Sequence, residues 1–82
     1  MQSVLAPQQP LAFGGRPAGY VIRIRKQQWN HPVRFLANDE NGQAVGAGTV
    51  PQNRGFESFL VHQDVGFTVV NVGVWPLIVE WV

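Results

Sequence analysis

The stretch VRFLANDENGQAVGAGTV, residues 33–50, decides how the rest of the chain is read. Val33, Phe35 and Ala37 fall on one side of an extended backbone, Arg34 and Leu36 on the other. At its centre, Asn41-Gly42 is the preferred pair for a two-residue type I′ turn. Such a turn pairs Glu40 with Gln43. Counting outward sets Ala37 opposite Gly46 and Phe35 opposite Gly48. A glycine across from Phe35 leaves room for the ring to lie over the neighbouring strand, so Gly46 and Gly48 need no ligand to explain them. The stretch predicts an antiparallel hairpin.

The same alternation runs outward from it. In YVIRIRKQ (20–27), Tyr20, Ile22 and Ile24 share one face, Arg23 and Arg25 the other. FESFLVHQ, FTVVNV and VWPLIVEWV follow the hairpin, separated by turn-rich links. In the last of these Trp75, Leu77, Val79 and Trp81 share the face that belongs to the core. Val74, Pro76, Ile78, Glu80 and Val82 share the other face, which is also mainly apolar. A strand apolar on both faces predicts cover on both sides. Pro76 cannot donate to a ladder, so it predicts a sheet edge or a kink. Residues 19–82 therefore read as an all-β body of about six strands, a small antiparallel β-sandwich or partly open barrel.

Residues 1–18 (MQSVLAPQQPLAFGGRPA) read differently. Pro, Gly and Gln leave no strand or helix period, which predicts an extended N-terminal arm. Eighteen extended residues reach about 55–60 Å, further than the body is wide. Val4, Leu5, Leu11 and Phe13 are its expected anchors, on its own sheet edge or on a neighbouring subunit.

Composition bounds the rest. The chain has 82 residues and no Cys, so one small domain must hold without disulfides. Charged residues are 13%, against about 25% in typical soluble domains. Low charge with abundant aromatics and Arg is the composition of an interface. Residues 1–37 carry Arg16, Arg23, Arg25, Lys26 and Arg34 with no acid, hence +5. Residues 38–82 carry five acids against Arg54, hence −4. Such asymmetry suits contact between copies. The start lacks a basic n-region, so no signal peptide is expected. Val65–Val82 has Glu80 as its one charge, but Gly66, Asn71, Gly73 and Pro76 interrupt it. Two strands explain it better than a membrane span.

Few residues suggest chemistry. Ser58, His62 and Asp64 share strand parity, but neighbours along one strand lie side by side, not in the arrangement a catalytic triad needs. Two His and no Cys predict no metal centre. No phosphate loop or dinucleotide fingerprint occurs, so no cofactor is expected. Arg23, Arg25 and Arg34 project from one side if their strands pair. This makes a basic interface suited to a neighbour's acids and a modest footprint for nucleic acid. Trp29, beside Asn30 and His31, is a possible ligand platform. The sequence thus predicts a non-enzymatic structural subunit of a homo-oligomer or larger particle, such as a virus or phage coat, decoration or tail component. Its arm would contact neighbours, and Val74, Ile78 and Val82 would form an apolar interface. A virion location follows if so. The alternative is a small lectin-like carbohydrate-binding module, and then a nucleic-acid-binding barrel.

Overall fold

The computed structural model describes residues 1–15, 19–28, 30–52, 55–61 and 66–81, with the backbone alone over 56–61. Its described residues form eight strands: β1 Gln2–Leu5, β2 Pro10–Phe13, β3 Tyr20–Lys26, β4 Val33–Asp39, β5 Ala44–Val50, β6 Phe56–Val61, β7 Phe67–Asn71 and β8 Leu77–Glu80. They make two antiparallel four-stranded sheets, β1-β8-β3-β6 and β2-β7-β4-β5. The pairs are nested: β4 with β5, β3 with β6, β2 with β7, β1 with β8. The chain is one long hairpin, bent back at residues 40–42 and rolled up. Pairings β3–β8 and β4–β7 complete the two sheets. This is an eight-stranded jelly roll, a form of β-sandwich.

The predicted pairs Phe35–Gly48 and Ala37–Gly46 form. The turn between them is not type I′. Asp39 N–H donates to Gln43 O, Gly42 N–H donates to Asp39 O, and only Gly42 takes a positive φ, of 81°. Asp39 Oδ1 accepts from the N–H groups of Asn41 and Gln43, both at 2.9 Å. That carboxylate favours a three-residue loop with glycine in the left-handed position. The loop shifts the register by one. A bulge then shifts it back, because Asn38 faces Ala44 while Ala37 faces Gly46.

Residues 1–15 do not stand apart as an arm. Ser3 faces Val79 in one sheet, and Leu11 faces Val69 in the other. Leu5 and Phe13 are buried, Leu11 packs on the core from its margin, and Val4 faces outward. The Cα radius of gyration is 11.8 Å, matching the roughly 12 Å expected of 82 residues packed as one body. Phe13 stacks on Phe67 and meets Trp81 edge-on, with centroids 5.0 and 5.2 Å away. Such pairs contribute about 0.5–1.5 kcal/mol each beyond burial.

The core lies between the sheets: Leu5, Phe13, Ile22, Ile24, Val33, Phe35, Ala37, Val50, Phe67, Val69, Leu77 and Val79. Lys26 shares the inward parity of Ile22 and Ile24. Its Nζ donates to Pro51 O at 2.7 Å, and burial lowers its pKa below the usual lysine range. β8 does not lie at an edge despite Pro76. It starts immediately after the proline and runs between β1 and β3. It is buried on one face only, with Ile78 and Glu80 half-exposed on the other. The apolar stretch 65–82 holds β7 and β8, as two strands.

The β1–β2 corner yields a prediction. Gln9 N–H donates to Ala6 O, Pro7 takes the second turn position, and Gln8 takes φ 69°. This third position of a type II turn favours glycine, and a side chain there costs about 1–2 kcal/mol. Gln8→Gly is expected to stabilise by roughly 0.5–1 kcal/mol after the entropy glycine adds to the unfolded chain. The melting temperature should rise by several degrees. A fall would show that the Gln8 side chain, not its backbone angle, matters at the corner.

Candidate functional site

The antiparallel strand order puts four connections at one end of the sandwich: the β1–β2 corner and the links β3–β4, β5–β6 and β7–β8. The β7–β8 link is built around Asn71, which is fully buried. Its Nδ2 donates to Leu5 O (3.0 Å) and to Trp75 O (2.8 Å), while Gly73 N–H donates to its Oδ1 (2.9 Å). Val72 N–H donates to Arg34 O at 3.1 Å, tying this link to the start of β4. Gly73 lies so near β4 that an added Cβ would be 3.1 Å from Arg34 N.

This frame holds Trp75 out of the core. The expectation that it joins Leu77, Val79 and Trp81 inside is corrected. Pro76 interrupts the strand, β8 begins at Leu77, and alternation does not extend back through the proline. Leu77 and Val79 are buried and Trp81 packs against the core, but Trp75 is 39% exposed. Its indole stacks on the His31 imidazole from the β3–β4 link, with centroids 3.7 Å apart and planes 10° from parallel. Trp75 borders two adjoining depressions. One, about 240 Å³, is lined by Gln27, Gln28, His31 and Pro76. The other, about 310 Å³, is lined by Pro32, Arg34, Thr49 and the 72–74 segment. An aromatic pair with amides, a hydroxyl and a guanidinium at its rim is the usual make-up of a small-ligand site.

The expected basic patch is divided. β3 and β4 lie in different sheets, so Arg23 and Arg25 project from one outer face and Arg34 from the other. Arg25 forms an ion pair with Glu80 of its own chain. Exposed, such a pair contributes less than about 1 kcal/mol. The apolar trio does not gather either. Val74 is 78% exposed beside Trp75, while Ile78 lies in the outer face of the first sheet, facing Val4 and Arg25. Val82, Trp29, His62 and Asp64 lie outside the described residues. Among the described residues no three His, Asp or Glu come together as metal ligands. Sequence reasoning missed the His31–Trp75 stack, and Pro76 was the available signal that Trp75 leaves the strand.

No protein-family model matches the chain, and no curated protein matches it in sequence. Solved structures do match its fold. A carbohydrate-binding CBM6 module from Clostridium stercorarium, determined with cellobiose, is 11% identical over 94% of this chain and 66% of its own, with a TM-score of 0.64. The C-terminal CBM6 of LamC, a laminarinase of Zobellia galactanivorans, is 18% identical over 93% and 75%, at 0.56. A glycoside hydrolase family 32 protein of Bifidobacterium adolescentis is 20% identical over 76% of this chain, at 0.58, and the chain spans only 10% of it. Domains whose names mention no carbohydrate share the fold as well. At these identities the likenesses show the fold alone.

Proposed function

We propose that this chain is a non-catalytic carbohydrate-binding β module that takes its ligand at the Trp75 end. The observation that carries this reading is the half-exposed Trp75 stacked on His31. An indole offers an apolar plane to the C–H face of a sugar ring. Gln27, Gln28, Arg34 and Thr49 offer hydrogen bonds to hydroxyls around it. The likeness to CBM6 modules, one of them determined with cellobiose, is consistent with this use of the fold. The assembly reading is less well supported. It relied in part on an arm reaching neighbouring subunits, and β1 and β2 pair within the chain's own sheets.

The test is calorimetric titration with cello-oligosaccharides and β-1,3-gluco-oligosaccharides. Trp75→Ala is expected to weaken binding about tenfold or more, the cost of a central aromatic contact. Its melting temperature should fall by only several degrees, the loss of the His31 stack, because the side chain is partly exposed and the hydrogen bond from Asn71 goes to the Trp75 backbone. Undiminished binding by that variant would move the site elsewhere. Absence of binding to every glycan tried would end the carbohydrate reading.

A further inference from the structure

Resting on that reading, we propose that the glycan recognised here is anionic, carrying a uronate or sulfate group that pairs with Arg34. The depression beside Trp75 shares Arg34, Thr49 and Val72 with a groove of about 490 Å³ along the outer face of β4 and β5. Arg34 therefore stands where the aromatic site opens into a channel able to hold further sugar units. Thr49 lies directly across the ladder from it. The bond from Val72 to Arg34 O and the close approach of Gly73 fix the base of Arg34 against the link that carries Trp75. Guanidinium and indole are thus presented from one stiff piece of structure.

The charge around them is one-sided. Among the described residues lining both depressions and the groove, Arg34 is the only Arg, Lys, Asp or Glu. The described carboxylates lie elsewhere. Asp39 is engaged by backbone N–H groups in the hairpin turn at the opposite end, where Glu40 lies beside Gly66. Glu80 pairs with Arg25 on the other sheet's outer face. Among the described residues no carboxylate pairs with Arg34. An arginine fork matches the paired oxygens of a carboxylate or sulfate, while a neutral sugar would use it only as one more donor.

The experiment titrates the full chain with three probes of matched length: a uronic-acid tetrasaccharide, a sulfated gluco-oligosaccharide and cellotetraose. The anionic probe that fits should bind about tenfold more tightly than cellotetraose, the step given by a charge-assisted hydrogen-bonded pair. Comparison of the two anionic probes identifies the group. Added salt should shrink the difference. Arg34→Gln should abolish the advantage of the anionic probe, which falls by about tenfold or more, while cellotetraose, losing one neutral-acceptor hydrogen bond, falls by severalfold less. Arg23→Gln, on the opposite sheet, should change neither. Cellotetraose binding as tightly as both anionic probes, or an unaffected Arg34→Gln variant, overturns the inference and leaves the carbohydrate reading standing. Failure of all three to bind overturns both.

Discussion

A chain lacking residues 1–18 is expected not to fold. The deletion removes two of eight strands, one from each sheet, and leaves β8 and β7 with unpaired edges. Leu5 and Phe13 leave the core, and burial of each is worth about 1.5–3 kcal/mol. Phe67 loses its stacking partner and Trp81 its edge contact. The lost ladder bonds contribute about 1 kcal/mol apiece. A domain of this size holds only about 5–15 kcal/mol in all, so the combined loss exceeds what is available. Far-ultraviolet circular dichroism of the truncated chain should show a coil, without a cooperative melt. Leu5→Ala should lose about 2–5 kcal/mol while remaining measurable. A cooperative melt from residues 19–82 alone would restore the view of 1–18 as an accessory arm.

That expectation inverts the reading of the N-terminal region from sequence, for a physical reason. β1 and β2 are four residues each, separated by a corner containing Pro7 and with Pro10 opening β2, too short to display a period. What makes them strands is pairing with β8 and β7, whose residues are more than fifty positions away. The hairpin was legible because its two strands are adjacent, and small residues opposite Phe35 and Ala37 mark the register. The turn type was not, because bonds from backbone N–H groups to the Asp39 carboxylate outweighed the preference of Asn41-Gly42. The inward faces of β3, β4 and β8 followed from alternation. Alternation failed at Trp75, where a proline ends the strand.

The candidate site was less legible than the fold. Trp29 drew attention as an aromatic in a polar link. The observed stack joins His31 to Trp75, from connections far apart in the chain, and only the rolled topology brings them together. The charge asymmetry pointed to contact between copies, yet one pair, Arg25 with Glu80, is satisfied internally. The division of the arginines between two outer faces leaves Arg34 beside the aromatic end, a placement visible only once β3 and β4 are assigned to different sheets.

Asn71→Leu is expected to produce the largest loss of stability of any single substitution considered. The side chain is fully buried and joins three backbone positions: Leu5 at the end of β1, and Gly73 and Trp75 in the β7–β8 link. Leucine is of similar size but supplies no donor or acceptor. Two carbonyls and one N–H would lose their partner, and a buried polar group left unsatisfied costs about 1–3 kcal/mol. Allowing for partial access of water to the link, the loss should be about 3–5 kcal/mol, or roughly 15–30 °C in melting temperature for a domain of this length. Asn71→Asp separates the contributions. Its carboxylate still accepts from Gly73 but places negative charge against the Leu5 and Trp75 carbonyls. Burial and those carbonyls should raise its folded-state pKa above the unfolded value, so its stability should be higher below the unfolded pKa and fall as pH rises through the folded pKa. Thermal melts of the Asn71→Asp variant from about pH 4 to 8 should show that fall relative to the parent, whose amide does not titrate. An Asn71→Leu variant melting within a few degrees of the parent would show that the link holds without its buried amide. Because the same amide positions the Trp75 backbone, its removal should weaken ligand binding even at temperatures where the variant remains folded.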